Sequence, residues 1–344
     1  IGCYYFCITL LEYKRNNAKI QLSVSLSICF FLWYVFVTFY NSRSSIKVSQ
    51  AILGIESQFS ILMLTAYFAR RDIKHYIHVV LNVFIVLMCI DILSIMLFRN
   101  GLYSTDTYSM NWFLGYKTAR VRSTTLPAIF LASLEKSNRR KSNLKFNVVC
   151  ILSCLSVALS GAMGGLVAQL ALIIMLWILF HAKDRILKKI LHRLFNVKFL
   201  VIFIVILNVL LVIMGKVSIF SRLIVDVMGR DLTLSGRTFI WEASLNYFMK
   251  SPLWGHGFLF SSEYEQITGI LGGASPHNLF LSILVYTGLV GGTILAIMAF
   301  NALKKINNKY FDETTLCGLY IISILLLGIT SNNLFGQYNL AAFV

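Results

Sequence analysis

The feature that most constrains this chain is its division into apolar blocks of roughly 17 to 24 residues separated by charged connections. A helix rises about 1.5 Å per residue, so a block of about 20 residues crosses the roughly 30 Å hydrocarbon layer of a bilayer. The period-two alternation that a membrane β-barrel requires is absent. Blocks fall near residues 1–11, 21–40, 49–69, 77–98, 123–135, 146–160, 163–181, 197–215, 278–302 and 315–336, about ten in all. The expected fold is an all-α, polytopic transmembrane helical bundle. In chain order it divides into transmembrane helices over 1–215, a long loop over 216–277 and further transmembrane helices over 278–344. The first block is too short to span alone, and Asn339 to Val344 read as the start of another span, so both ends are expected to be truncated.

Charge gives the bundle a direction. Most of the 31 Lys and Arg sit in five alternate connections: Lys14 to Lys19, Arg70 to Lys74, Lys136 to Lys145, Lys183 to Lys198 and Lys304 to Lys309. Basic connections stay on the cytoplasmic side of a bacterial membrane, so the intervening loops, residues 99–122 and above all 216–277, are expected to face outward. The net charge of +17 is thereby assigned to topology and to contact with anionic lipid, and nucleic acid is not an expected partner. All seven Cys fall inside apolar blocks, where a thiol behaves as a small hydrophobe, so neither a disulfide nor a Cys-based metal site is expected.

The long loop carries the chemistry-bearing residues. Ile240, Trp241, Ser244, Leu245 and Phe248 recur at helical spacing after Ser235-Gly236-Arg237, with Ser235 as an N-cap and Pro252 as a stop. This helix is expected to lie on the membrane interface, apolar face down. Arg237 in its first turn opposes the helix dipole, which points to a role other than stabilising the helix. The segment Pro252-Leu253-Trp254-Gly255-His256-Gly257 follows, and then Pro276-His277-Asn278 opens the next apolar span. His256 and His277 are the two histidines on the expected outer side.

At these residues the chain resembles the bacterial O-antigen ligase and O-antigen or capsule polymerase superfamily. The resemblance rests on Ser235-Gly236-Arg237 with Trp241, on Pro252 to Gly257, and on Pro276-His277-Asn278-Leu279-Phe280-Leu281 running into Tyr286-Thr287-Gly288-Leu289-Val290-Gly291. It implies a glycosyltransferase in the bacterial inner membrane; the expected outward loops hold no Asp-Asp or Asp-x-Asp pair for a divalent ion, so the reaction is expected to be metal-independent, and no cofactor is expected. Its partners would be undecaprenyl-diphosphate-linked oligosaccharides as donor and acceptor, membrane lipids, and chain-length regulator and flippase proteins. Leu159-Ser160-Gly161 stands where many members carry a Ser-Arg-Gly turn. The arginine missing there would be replaced by Arg120 or Arg122.

The chemistry explains the residue types. When a sugar hydroxyl attacks an anomeric carbon, the departing lipid diphosphate needs cationic stabilisation, and a guanidinium binds phosphate oxygens in bidentate fashion at any relevant pH. Arg237 takes that role. The hydroxyl needs a base, and an imidazole with an ordinary pKa of about 6.5 suits neutral pH, so His277 takes the proton. Arg120, Arg122, Lys117, Trp241, Trp254, His256 and Asn278 are the expected substrate contacts. Each has a simpler alternative: His277 or Asn278 as a helix cap, the tryptophans as interfacial anchors, the outward cations as headgroup contacts. Asp91 and Glu56, acids inside apolar blocks, are further candidates because burying a charge in lipid is costly. A polymerase is favoured over a ligase that transfers to lipid A core or protein. The reading from another class is a polysaccharide flippase or transporter.

Overall fold

The computed structural model describes residues 6, 8, 21–42, 44–105, 110–138, 143–181, 196–214, 237–269, 275–306 and 313–329. The expected spans before residue 21 and after 329, the Lys183 to Arg193 connection, and Ser235-Gly236 lie outside them. Eleven α-helices are present among the described residues: α1 Leu22–Ser42, α2 Ser45–Arg71, α3 Ile73–Leu97, α4 Leu126–Asn138, α5 Asn143–Leu159, α6 Met163–His181, α7 Val197–Met214, α8 Arg237–Phe248, α9 Ser261–Thr268, α10 Leu279–Lys305 and α11 Glu313–Gly328. The only strand-like pairs described are two isolated bridges, Tyr103 with Asn111 and Trp112 with Gly115.

Among the described residues five helices, α1, α2, α3, α6 and α10, are long and apolar enough to cross a bilayer, and α5, α7 and α11 are shorter apolar helices. The chain is a polytopic helical membrane protein. Large apolar side chains such as Leu32, Val86, Ile151, Phe199 and Phe300 stay exposed on the helix surfaces, as a lipid solvent allows. Turns between antiparallel neighbours are tight where the sequence supplies a cap. Asp72 ends α2 by donating its N–H to the Phe68 carbonyl, and its carboxylate starts α3 by accepting from the His75 N–H at 2.9 Å.

Two packed groups form, and they cut across chain order. One joins α3, α4, α5, α6, α7 and α11 around Leu81, Met88, Ile129, Val149, Leu172 and Leu319. The other joins α1, α2 and α10 with the short helices α8 and α9 around Phe30, Tyr34, Leu62, Ile240, Tyr264 and Val285. The groups meet where α2 packs on α3, α10 on α11 and α8 on α7. At the basic end, Glu135 ties three helices together by accepting from His78 at 2.6 Å and from Lys145 at 2.8 Å.

The sequence reading laid the apolar face of α8 on the membrane interface. In the structure that face, Ile240, Trp241, Ser244 and Phe248, is buried against protein. Helices α10 and α9 cover it, because the neighbouring apolar surface of the bundle is a closer partner than lipid.

Candidate functional site

The expected span over 278–302 is a helix in two halves. Gly288 breaks α10 with φ 63° and ψ −168°, a backbone region that is essentially restricted to glycine. An unbroken helix would bond the Leu289 and Val290 N–H groups to the Val285 and Tyr286 carbonyls. Here the Pro252–Gly257 segment stands between them. Leu289 and Val290 donate instead to the Pro252 and Leu253 carbonyls at 2.8 and 3.2 Å, while His256 and Gly257 donate to the Val285 and Tyr286 carbonyls at 2.8 and 2.9 Å. The Trp33 indole donates to the Thr287 carbonyl at 2.8 Å. Every backbone group released by the break named here thus regains a partner, as low-dielectric surroundings demand. The fit is tight: a Cβ on Gly288 would overlap the Leu253 carbonyl, and one on Gly255 would overlap the Gly288 nitrogen.

Helix α1 holds the inserted segment from the other side. Asn41 donates to the Gly255 carbonyl at 3.2 Å, and the Thr38 hydroxyl accepts from the Phe258 N–H at 2.9 Å. Trp254 stacks on Trp33 at 5.2 Å and on Tyr40 at 6.5 Å, leaving 48% of its surface exposed. His256 stacks on Tyr247 at 3.8 Å, and its Nε2–H donates to the Tyr247 carbonyl at 2.9 Å, which fixes the tautomer because a carbonyl only accepts. Burial lowers the His256 pKa below its ordinary value, and Lys250 adds to the effect against the opposing carbonyl bond. The ring is therefore neutral at neutral pH.

His277 lies at the start of α10, half-buried, with φ 49°. It is the one non-glycine residue with positive φ among those described. A left-handed backbone at such a residue costs roughly 1–3 kcal/mol, and it concentrates at functional sites. Next to it, Asn278 caps α10: its Oδ1 accepts from the Phe280 and Leu281 N–H groups at 3.0 and 3.1 Å. Asn278 is fully buried.

Arg237 is the first residue of α8, which packs against α10. One turn on, Trp241 is 1% exposed, and its indole N–H has no acceptor among the described residues. Ser244 donates to the Ile240 carbonyl and shares a hydrogen bond with the Tyr264 hydroxyl, tying α8 to α9. Burial pushes the Tyr264 phenol up to about 12. Helix α9 is tied in turn to α2 through Glu263 and Lys47 at 2.6 Å. Desolvation alone would raise the Glu263 pKa, but the Lys47 ammonium and the Phe260 N–H outweigh it and hold it low.

Asp91 and Arg120, both with fully buried side chains, pair at 2.7 Å. The Asp91 carboxylate also accepts from the Leu114 N–H at 3.0 Å and the Ser156 hydroxyl at 2.8 Å. Arg120 donates to the Gly115 carbonyl at 3.1 Å and lies 5.1 Å over the Trp112 ring. The chain then enters a π-helical turn, Val121–Thr125, in which Leu126 donates to the Val121 carbonyl. Arg122 and Lys117 are half-buried, the latter with its ammonium 5.6 Å over the Tyr116 ring. Glu56 lies exposed on α2.

Helix α8, the Pro252–Gly257 segment and His277 thus each adjoin α10, while Arg120 is paired with Asp91 of α3. Trp33, Thr38 and Asn41 were missed by the sequence reading, although the run Gly288, Gly291, Gly292 inside an apolar span was a signal of a break there. Among the described residues no three His, Cys, Asp or Glu side chains gather as a metal-binding group.

Residues 148–296 match a family model described as O-antigen ligase. Over 111 residues the chain is 31% identical to exopolysaccharide production protein ExoQ of Rhizobium meliloti (strain 1021). That alignment covers 27% of this chain and 25% of that protein, so the chain spans about a quarter of the relative's length in the match. No solved structure matches the chain.

Proposed function

Because the chain carries an O-antigen ligase family domain and belongs to the O-antigen ligase and polymerase superfamily, we propose that it is a membrane glycosyltransferase that joins lipid-linked oligosaccharide units into a polysaccharide. The donor and acceptor are undecaprenyl-diphosphate-linked repeat units, and the product is O-antigen or capsular polysaccharide. The observation that carries this reading is His277. It is a half-buried histidine in a left-handed conformation at the mouth of α10, on the helix against which the Arg237-headed α8 packs.

In the proposed reaction a hydroxyl of the acceptor sugar attacks the anomeric carbon of the donor. The new glycosidic C–O bond forms as the bond to the diphosphate oxygen breaks, and the lipid diphosphate leaves with the electron pair. His277 takes the hydroxyl proton. The Arg237 guanidinium neutralises the charge that grows on the departing diphosphate. Arg122 and Lys117 serve as further cations for the substrate, since Asp91 and Gly115 engage Arg120. Trp254, half-exposed beside the Gly288 break, offers a face on which a sugar ring can stack. The reaction as written needs no metal, and by the charge pattern it takes place on the outer face of the bacterial inner membrane, where chain-length regulator and flippase proteins are the partners.

Polymerisation is favoured over transfer to an acceptor core for two reasons. Leu159-Ser160-Gly161 lacks the arginine of the Ser-Arg-Gly turn, and the relative's name refers to exopolysaccharide production. In cells lacking the native gene, Arg237→Ala and His277→Ala are expected to abolish long-chain glycan on gels while the protein persists in the membrane. Unchanged long-chain glycan would remove both residues from the mechanism.

A further inference from the structure

The residue after His277 does more than a helix cap requires. An N-cap needs one acceptor, which Ser, Thr, Asp or Asn supplies equally. The acceptor of Asn278 is engaged by Phe280 and Leu281, but its amide nitrogen also donates, at 3.2 Å, to the Ile329 carbonyl just beyond the end of α11. A Ser or Thr hydroxyl can also donate, but from the single oxygen that caps, and Asp only accepts; an asparagine places its acceptor and its donor on separate atoms of a longer side chain. Its backbone carbonyl accepts both the N–H and the hydroxyl of Ser282, at 2.9 and 2.7 Å. With both polar side-chain atoms bonded inside the protein and no exposed surface, Asn278 has nothing to offer a substrate directly.

The backbone shows what the residue accomplishes. Asn278 is extended, at φ −147° and ψ 126°, immediately after the left-handed His277. That pair of conformations sets the angle at which the chain turns into α10, and with it the direction of the imidazole. Further down, the same half-helix ends at the Gly288 break, where the inserted Pro252–Gly257 segment holds it. The outer half of α10 is therefore fastened at both ends, by Asn278 to α11 and by the splice to α1 and the long loop.

We propose that Asn278 is a positioning residue: its cap and its tether to α11 hold His277 in the left-handed conformation that aims the imidazole at the reacting hydroxyl. This rests on the reading of His277 as the base. The purified full chain in lipid nanodiscs would be assayed with lipid-diphosphate-linked oligosaccharide extracted from the source cells. Variants are Asn278→Ala, which loses cap and tether, Asn278→Ser, which keeps the cap alone, and His277→Ala.

Asn278→Ala is expected to lower kcat by about tenfold or more, as displaced catalytic groups do, with KM changed by less than roughly twofold. Asn278→Ser is expected to recover part of that loss. The acid limb of the kcat/KM pH profile should move in Asn278→Ala, which a merely structural residue would not cause. If both Asn278 variants keep wild-type kcat and pH profile while His277→Ala is inactive, the positioning role is wrong and the base assignment stands. Full activity of His277→Ala overturns the base assignment itself. Should Asn278→Ala fail to fold, a wild-type kcat and acid limb in Asn278→Ser overturn the tether.

Discussion

At the scale of single residues, burial separates groups that a sequence leaves equivalent. Arg120 and Arg122 are two apart and equally plausible as phosphate ligands in the linear chain. The structure buries Arg120 fully against Asp91 and buries Arg122 only in part. Removing one partner of a buried ion pair strands the other charge, at a cost of roughly 3–5 kcal/mol. Arg120→Met is therefore expected to destabilise the protein by about that amount, read as the thermal midpoint in detergent, with Asp91→Leu/Arg120→Met recovering at least about 1 kcal/mol of it. Equal midpoints for the single variant and the wild type would contradict the pairing. His256 makes a pH prediction. Its folded pKa lies below its unfolded one, so the unfolded state binds more protons, and stability is fully present above about pH 6.5 and declines as pH falls through it. Trp254 fluorescence is expected to report loosening of the loop as pH falls below about 6.5 in the wild type, and a flatter response in His256→Gln. His277 could be named as a candidate from the sequence because the Pro276-His277-Asn278 motif carries the family resemblance and lies on the expected outer side. Asn278 was legible only as a polar neighbour, since its partner Ile329 is 51 residues away.

At the scale of elements, the motif glycines acquire a mechanical meaning. Gly255 and Gly288, from two motifs more than thirty residues apart, meet at one point where neither can carry a side chain. Gly288→Ala combines a glycine-only conformation with overlap on the Leu253 carbonyl. It is expected to cost about 3 kcal/mol or more. Hydrogen exchange at His256, Gly257, Leu289 and Val290 should rise together in that variant, because the four amides share one interlocked set of bonds. Exchange that rises at only one of them would show that the segment is not a single unit. Hydropathy could find the span, because side chains alone set transfer into lipid. It could not find the break, because the replacement bonds come from backbone groups of a distant segment.

At the scale of the whole molecule, the charge pattern predicts a topology that the helices allow but do not orient. With a cysteine-free background, single cysteines at Lys117 and Glu265 are expected to react with a membrane-impermeant maleimide in intact spheroplasts, and cysteines at Lys74 and Lys305 only after lysis. Labelling of Lys74→Cys in intact spheroplasts would invert the proposed orientation and remove the outward site. The ion pair between Lys47 and Glu263 joins α2 to α9 at the surface, and Glu263→Gln is expected to cost less than about 1 kcal/mol. What the sequence determined by itself was the class of fold, a polytopic helical membrane protein, and the rough places of its apolar helices, because apolar length acts locally and needs no partner. The tertiary structure alone decided that Asp91 neutralises Arg120, that the Pro252–Gly257 segment completes a broken α10, and that α8 turns its apolar face to protein. Each of these depends on groups distant in the chain satisfying one another's hydrogen bonds or charge, and no local pattern encodes which partner will be within reach.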